Sequence, residues 1–406
     1  MRESTALNSK QGSVLGGILL IAGSCIGAGM LGLPILTGIA GFFPSLVMLL
    51  IAAFFMTTTA LLLVEVTQRY SEKANYLTMM EKTLGPIGKI LCWLFYLFVF
   101  YALLIAYIAA SGNHVSSLLP LPASMGSLFF VLLFGGVVFF GTHFVDMTNR
   151  ALMVGKIAAY LVVLTLGFIY IDPKLLMHSD PKYTLLSFPI LIISFGFHNM
   201  IPVLSDYLGR DVKRMKQAIL GGASFTFLIY LFWQIVALGT LPLEGAYGIL
   251  ASYKTGIDAA QALSALHTSS IGIFATLLAF FAILTSFLAQ TLSLVHFLAD
   301  GLKVRSGKKE NLLLLLLTLM PPLFFAIVNP TIFYAALNFA GGFCAVVLFG
   351  LLPVLMVWKE RKTKEATEYI VSGGTPLLMA ILAIALFVLF YQTTQMSGLS
   401  IFPTVK

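Results

Sequence analysis

The sequence predicts an all-α integral membrane protein with eleven transmembrane helices. Hydrophobic residues make up 59% of the 406-residue chain and charged residues only 10%, whereas a soluble domain carries about 25% charged residues. The chain also contains many uncharged runs of roughly 20 residues, the length that a helix needs to cross a membrane. Continuous apolar runs such as Leu312–Leu319 exclude the alternating pattern of a transmembrane β-barrel.

The apolar runs set the expected positions of the spans and of the segments between them. No segment between spans is long enough to fold alone, so we expect a single transmembrane domain. The N-terminal region lacks the cleavage pattern of a signal peptide, and its first apolar stretch is predicted to remain as a span. We expect short helices over the outer mouth at 242–270 and a short amphipathic helix at 67–87. The spans are expected at 13–36, 43–66, 88–112, 125–143, 149–171, 184–204, 215–241, 271–298, 311–328, 331–357 and 373–395.

The positive charges predict the orientation. Of the 24 Lys and Arg residues, all but Lys174, Lys182, Lys254 and Lys406 are expected on one side of the membrane. This larger set includes Lys156, close to the end of span 5. By the positive-inside rule, that side is cytoplasmic. The N-terminus is therefore predicted inside and the C-terminus outside, and the net charge of +8 encodes orientation rather than nucleic-acid binding.

The sequence argues against an enzyme, a pump driven by ATP and a metal site. The six histidines are scattered, and the chain has no HExxH, GxSxG or Walker A motif. We expect no cofactor, no metal and no nucleic-acid partner. A channel is disfavoured because channels usually build their pore from repeated subunits. Three cysteines lie in apolar runs and are interpreted as small buried side chains: Cys25, Cys92 and Cys344.

Two spans break the pattern of a uniform apolar helix. Span 1 contains AGSCIGAGMLGLP at 22–34, and span 6 contains FPILIISFGFHNMIPVL at 188–204. Glycine and proline weaken a helix, although close packing and kinking are the alternative explanation for either span alone. Span 6 opens a second set of five spans, which would run inverted relative to the first set. We therefore predict inverted repeats at 13–171 and 184–357, an extra helix at 373–395, and discontinuous helices 1 and 6 that form a transporter's midplane site.

The breaks predict what the site binds. An unwound segment frees backbone N–H groups for a carboxylate and carbonyl groups for an ammonium group or a cation. An amino acid presents both groups, so the expected substrate is a small zwitterion. The phenylalanine rings beside the second break suit an aromatic side chain. The candidate substrate-binding residues are Ser24, Cys25, Gly27, Ala28 and Gly29 on span 1, with Phe195, Gly196, Phe197, His198 and Asn199 on span 6.

Four stretches resemble the bacterial hydroxy/aromatic amino acid permeases, a family that includes tyrosine-specific and tryptophan-specific transporters. They are GSVLGGILLIAGSCIGAGMLGLP at 12–34, LLLVEV at 61–66, SFGFHNMIP at 194–202 and TSFLAQTLSLVHFLAD at 285–300. The resemblance implies a LeuT-like fold and proton-driven import of an aromatic amino acid, tyrosine before others, across the bacterial inner membrane. The chain departs from the tyrosine permease pattern at Asn199 and Met200, where small residues are more usual.

Further candidates concern the pocket wall and the coupling ion. Tyr101 on span 3 and Gln290 on span 8 are predicted to line the pocket. His198 is a candidate proton carrier or a neutral hydrogen-bonding residue. Glu65 is a second proton-carrier candidate or an interfacial carboxylate beside Arg69. Thr285 and Ser286 resemble the hydroxyl pair of a sodium site, or bond back to their own helix, which keeps a sodium-coupled permease as an alternative.

Charged residues at the inner ends of the spans are candidates for gate ion pairs or for solvated surface charges. They are Asp146, Arg150, Asp206, Arg210 and Asp211. Among transporters, a broader neutral amino acid permease is the remaining alternative.

Overall fold

The computed structural model describes residues 12–70, 75–267, 270–304, 307–362, 369–399 and 401–403. Within these ranges the chain is almost entirely helical. The described residues contain no β-strand beyond an isolated bridge between Gly41 and Ser179. The all-α class predicted from the composition is confirmed.

The first half of the chain forms seven helices before the second interrupted region. They are α1 (Val14–Cys25), α2 (Ala28–Gly38), α3 (Phe42–Thr67), α4 (Tyr76–Leu118), α5 (Ala123–Phe139), α6 (Thr142–Gly167) and the short α7 (Pro173–Leu176).

The second half contains ten α-helices and one long π-helical segment. They are α8 (Phe188–Ser194), α9 (Ile201–Tyr207), α10 (Val212–Thr240), α11 (Ile249–Thr255), α12 (Ala259–Leu266), α13 (Ser270–Gly301), α14 (Lys308–Val328), α15 (Phe333–Phe339), the π-helix Ala340–Leu351, α16 (Leu352–Lys362) and α17 (Gly374–Met396).

The described residues contain nine helical stretches that are long and apolar enough to cross a membrane. The pair α1 and α2, bent by 60° at a short break, makes a tenth if it is one span. The apolar helix α5 has only 17 residues. A multi-pass membrane protein is therefore confirmed, whereas the predicted number of eleven, which also counts α5, stays a prediction.

Two predicted segments outside the spans are confirmed as short helices. The short helices α11 and α12 lie within 242–270. At 67–87, the backbone of α4 turns at Gly85, where φ is +81°, a conformation that glycine adopts without steric cost. The first turns of α4 therefore form a separate piece, and its apolar face is buried at Tyr76, Met79 and Met80.

The orientation prediction needs one correction, at Lys156. This residue was assigned to the inner surface, but it lies in the middle of α6 with its side chain buried. An uncertain helix boundary led to that error. Six of the charges behind the prediction lie outside the described residues, and the orientation stays a prediction: Arg2, Lys10, Lys73, Arg305, Lys364 and Lys406.

Proline in a helix leaves a carbonyl without its usual donor, and in α2 an aromatic side chain supplies the missing hydrogen bond. Pro34 has no N–H, so the carbonyl of Met30, four residues earlier, loses its helical partner. The buried indole N–H of Trp233, on α10, donates to that carbonyl at 2.9 Å. The proline break in α2 is thus matched by a donor from a neighbouring helix.

The same arrangement occurs at α14 and at the π-helix. Pro321 deprives the Leu317 carbonyl of its donor, and the hydroxyl of Tyr101 donates to it at 2.9 Å. In the π-helix the backbone hydrogen bond spans five residues, so Pro353 leaves the Leu348 carbonyl without its donor. The hydroxyl of Tyr76 donates to that carbonyl. Each of these bonds joins α4 to a helix far along the chain.

Candidate functional site

The first break lies between α1 and α2, where Ile26 and Gly27 leave the helix. The backbone at Gly27 is extended, with φ −136° and ψ −159°. A Cβ atom at Gly27 would lie 2.6 Å from the Ser286 side-chain oxygen. A side chain at position 27 would therefore displace the Ser286 hydroxyl from this position.

The two hydroxyl groups on α13 at this point have different partners. Ser286 accepts a hydrogen bond from the backbone N–H of Ala28 at 3.0 Å, so it caps the start of α2. Thr285 donates to the Phe281 carbonyl of its own helix at 2.8 Å. Back-bonding was the alternative offered for this hydroxyl pair, and it applies to Thr285 alone.

Lys156 reaches the first break from α6. Its ammonium nitrogen lies 2.7 Å from the Ile26 carbonyl oxygen, to which it donates, and 3.5 Å from the Thr285 hydroxyl. The side chain is only 3% exposed, and a charged group at this depth is costly unless it has partners. The sequence signal was a lysine with apolar runs on both sides, and it was misread as a loop charge.

The second break lies between α8 and α9. Residues 195–197 leave the helix, and a single 3₁₀ turn covers His198–Met200. A Cβ atom at Gly196 would lie 2.9 Å from the Ile193 carbonyl oxygen, so a larger residue would strain the turn. The rings of Phe195 and Phe197 are fully buried. Both helix breaks predicted from glycine and proline therefore occur.

Tyr230 on α10 joins the two breaks. Its hydroxyl oxygen lies 2.7 Å from the carbonyl oxygen of Cys25, the last residue of α1, and 2.7 Å from that of Ser194, the last residue of α8. The ring packs edge-on against Phe195, with 5.1 Å between centroids. Sequence reasoning missed Tyr230 because tyrosine in a span is ordinary.

The side chain of Ser194, on α8, packs against the first break. A Cβ atom at Gly29 would lie 3.1 Å from the Ser194 side-chain oxygen. That oxygen is buried and makes no hydrogen bond of good geometry within the described part of the chain.

The structure thus brings part of the predicted set together. Cys25, Gly27, Ala28 and Gly29 line the first break, and Gln290 is half-buried one turn beyond Ser286. Ser24, beside Cys25 at the end of α1, and Asn199, in the 3₁₀ turn of the second break, have exposed side chains. Tyr101 donates to the Leu317 carbonyl as described above.

His198 lies on the far side of the second break. Its Nε2 atom is 2.9 Å from the Thr59 hydroxyl of α3. The imidazole stacks on Phe349 of the π-helix, with 4.8 Å between ring centroids and 14° between planes. These contacts fit the hydrogen-bonding interpretation of His198 better than a proton-carrying one.

Glu65 is fixed in a buried ion pair. Both carboxylate oxygens accept hydrogen bonds from Arg361 at 2.8 Å, and one also accepts from the Val371 backbone N–H at 2.9 Å. The expected partner, Arg69, was wrong: it lies 3.6 Å from Glu360 instead. These three hydrogen bonds fix the Glu65 carboxylate in place between α3 and α16, which favours a structural role over that of a proton carrier.

A tyrosine joins the second of these pairs outside the spans. The Tyr70 hydroxyl donates to Glu360 at 2.6 Å. Burial, together with the hydrogen bond to Glu360, raises the pKa of Tyr70 to about 12. The hydroxyl therefore keeps its proton and its hydrogen bond at physiological pH.

Of the charges proposed as inner gates, only Asp146 and Arg150 form an ion pair within the described residues. Their pair at 2.9 Å is exposed and lies within one helix, so it holds no two helices together. Arg210 donates instead to backbone carbonyls at the end of α3, including that of Thr67 at 3.1 Å. Asp211 caps α10 through the Arg214 N–H at 3.0 Å.

Two broken apolar helices inside a multi-span bundle are typical of secondary transporters, so the fold and the site together define a membrane transport protein. The chain belongs to the tryptophan/tyrosine permease family, whose sequence profile matches residues 10–392. This family assignment confirms the resemblance seen in the sequence. It also confirms that the chain is a transport protein rather than an enzyme.

Individual relatives match over nearly their whole length. The chain is 35% identical over 392 residues to "Tyrosine-specific transport system 1" of Haemophilus influenzae, covering 92% of this chain and 95% of the relative. It is 31% identical over 398 residues to a "Tryptophan-specific transport protein" of Pseudomonas aeruginosa, covering 92% and 93%. It is 28% identical over 390 residues to a "Tryptophan-specific transport protein" of Haemophilus influenzae, covering 91% and 92%.

Proposed function

We propose that this protein imports an aromatic amino acid, tyrosine first, by proton symport across the bacterial inner membrane. The printed names of its relatives support an aromatic substrate, and the relative at 35% identity is a tyrosine transporter by name. The two breaks support a single site that is exposed to each side of the membrane in turn. Tryptophan is the second candidate substrate, on the names of the other relatives.

The substrate's polar groups match the backbone at the breaks. The first turn of α2, beginning at Ala28, presents N–H groups and the positive end of the helix dipole to the carboxylate. The carbonyl groups of Cys25 and Ser194 face the ammonium group, and the buried rings of Phe195 and Phe197 supply an aromatic surface. The site recognises the zwitterion without a buried carboxylate of its own.

The position of Lys156 carries the coupling part of the proposal. A sodium ion at this break would need oxygen ligands such as the Ile26 carbonyl and the Thr285 hydroxyl. The ammonium group of Lys156 already lies beside both oxygens, at 2.7 and 3.5 Å. A cation that belongs to the protein takes the place of a bound ion, so the ion that exchanges is the proton on the amine.

Protonation of Lys156 controls the strength of its bond to the first break. A hydrogen bond from a charged donor is stronger than one from a neutral donor, and it contributes about 1.5–3 kcal/mol. With the proton bound, Lys156 holds Ile26 and the end of α1 against α6. When the proton leaves toward the cytoplasm, that bond weakens and α1 moves away, opening the site to the inside.

The test is tyrosine uptake into liposomes under an inward proton gradient without sodium. The wild-type protein should accumulate labelled tyrosine. Lys156→Met should lose gradient-driven accumulation while keeping exchange of external for internal tyrosine, because the binding site remains. Lys156→Arg should bind tyrosine but not accumulate it, because arginine does not release its proton. Lys89→Met, which removes a half-exposed lysine paired with Glu81, is the matched control and should behave as wild type.

Each alternative has its own result. Accumulation only with sodium would replace proton coupling by sodium coupling. Uptake of tryptophan but not tyrosine would change the substrate, and equal inhibition by leucine would indicate a broader neutral amino acid permease. Gradient-driven accumulation by Lys156→Met would rule out Lys156 as the coupling group.

A further inference from the structure

The short helices α11 and α12 lie against two helices that meet at the first break, α2 and α13. An added Cβ atom at Gly38, the last residue of α2, would lie 2.6 Å from the side chain of Ile249 on α11. On α12, the Ser264 hydroxyl lies 2.8 Å from the Thr276 hydroxyl of α13. We call α11, residues 256–258 and α12 the outer hairpin, because the predicted orientation places them on the outer side of the membrane.

The bend of the outer hairpin is fastened to the end of α4. The Asn113 side-chain amide donates to the Gly256 carbonyl at 3.3 Å, and the Gln261 side-chain amide donates to the Asn113 carbonyl at 3.1 Å. The shortest of these contacts joins His114 Nε2 to Asp258 Oδ2 at 2.7 Å. Both side chains are buried, with exposed fractions of 7% and 1%. The end of α4 thus holds the bend through two amide hydrogen bonds and one titratable pair.

The two carboxylate oxygens of Asp258 have different partners. Oδ1 caps α12 by accepting hydrogen bonds from the backbone N–H groups of Ala260 and Gln261 at 2.9 and 3.0 Å, and Oδ2 faces His114. A protonated His114 makes an ion pair with this carboxylate, whereas a neutral imidazole makes a weaker hydrogen bond. Histidine changes its charge between pH 5 and 8, so the contact weakens as the pH rises through that range.

Few other titratable groups surround this pair. The Tyr334 hydroxyl of α15 donates to the Ile257 carbonyl at 2.7 Å, and its ring lies 5.5 Å from that of Tyr253 on α11. Lys254 on α11 is exposed. Tyrosine and lysine keep their protons below about pH 9, so His114 is the group that changes charge beside Asp258. No titratable side chain comes from α2, α5 or the adjoining parts of α10 and α13, residues 231–240 and 270–284.

We propose that His114 and Asp258 form a proton-sensitive clasp that holds the outer hairpin against α4. With His114 charged, the clasp keeps the hairpin on the outer ends of α2 and α13. Loss of the proton loosens the hairpin but leaves the cap of α12 intact, because Asp258 stays charged. Acid on the outer side therefore holds the hairpin in place. The clasp involves neither helix break and no substrate group, so it is separable from the proposed function.

The test is hydrogen–deuterium exchange of the backbone amides at 249–266, which measures how tightly the outer hairpin is docked. Purified protein in detergent micelles is labelled at about pH 5.5 and about pH 8, near the two ends of the range in which histidine titrates. Labelling times are scaled for the intrinsic pH dependence of amide exchange. In the wild type, exchange should be about five-fold slower at the lower pH, because the ion pair is stronger than the neutral hydrogen bond. Equal protection at the two pH values would refute the clasp.

His114→Gln and Asp258→Asn each remove one charge and keep a side chain that forms hydrogen bonds. Asparagine also retains the oxygen that caps α12, since it is a favourable N-cap residue. In both variants the difference in protection between the two pH values should fall below about two-fold, because the ion pair no longer forms. A full pH effect in either variant would show that the effect arises elsewhere and would overturn the proposal.

The control variants His178→Gln and His267→Gln replace the other two histidines of the outer side. His178 Nε2 lies 3.1 Å from the Ile39 carbonyl oxygen, and the His267 ring packs on Tyr170 with 4.7 Å between centroids. Neither histidine forms an ion pair within the described ranges, so both variants should keep the wild-type pH effect. Loss of the effect in a control would assign it to that histidine instead. Tyrosine transport plays no part in this measurement, so failure of the proposed function would leave its outcome unchanged.

Discussion

Replacing Trp233 tests whether its indole serves the carbonyl that Pro34 leaves without a donor. In Trp233→Phe, the buried Met30 carbonyl loses the bond measured at 2.9 Å. An unsatisfied buried polar group costs about 1–3 kcal/mol, and the smaller ring adds a loss of packing. In a Pro34→Ala background, the substituted alanine supplies the N–H that proline lacked, and the Met30 carbonyl regains its helical partner. Trp233→Phe should then cost only the packing term.

The difference between the two backgrounds isolates the hydrogen bond. We expect a coupling energy of about 1–2 kcal/mol between positions 34 and 233. The free energy of unfolding is measured for the four proteins in mixed micelles of a mild detergent and dodecyl sulfate, followed by circular dichroism. Packing losses occur in both backgrounds and cancel.

A mismatched pair provides the control for this cycle. Tyr101 serves the carbonyl left by Pro321, on a different helix. Tyr101→Phe combined with Pro34→Ala should therefore be additive to within about 0.5 kcal/mol. Additive costs for Trp233→Phe and Pro34→Ala would refute the assignment of the indole to the Met30 carbonyl.

Two further predictions concern the first break and the inner ion pair. Gly27→Val should lower tyrosine uptake in the liposome assay at least ten-fold while the protein still inserts, because its Cβ would lie 2.6 Å from the Ser286 side-chain oxygen. The control is Gly136→Val, where nothing lies within 4 Å of the added atom, and this variant should transport normally. Glu65→Gln should lower the free energy of unfolding by about 3–5 kcal/mol, since it leaves Arg361 without its anion. The folded fraction should keep proton-driven uptake. Loss of proton coupling in folded protein would indicate that Glu65 is a proton carrier.

Local sequence patterns predicted the membrane class and both helix breaks, because each depends on residues close together in the chain. The apolar runs define the spans, and Gly27 and Gly196 mark the points where the helices stop. The carbonyls left by prolines can also be read from the sequence, four residues earlier in an α-helix. The side chains that donate to these carbonyls cannot be identified from the sequence, because donor and acceptor are far apart in the chain: Trp233 and Met30 are separated by 203 positions.

The candidate site was only partly predictable for the same reason. Lys156 and Tyr230 act on carbonyls of distant helices, and no local pattern distinguishes them from an interfacial lysine or an ordinary buried tyrosine. Glu65 was paired with the nearby Arg69, whereas its partner Arg361 lies 296 positions away. Charge–charge distances in a helical bundle follow from packing, which a single sequence does not specify.

The hydrogen bonds to the carbonyls that prolines leave without a donor also indicate which helices move together when the protein changes conformation. A bond between two helices survives a rearrangement only if both move as one body. The Trp233–Met30 bond joins α2 to α10, and the Tyr101–Leu317 bond joins α14 to the long part of α4. The Tyr76–Leu348 bond joins the π-helix to the separate first piece of α4, before Gly85. The three prolines, by creating carbonyls that need a donor from another helix, thus define three linked pairs of segments. Movement of one pair relative to another breaks none of these bonds.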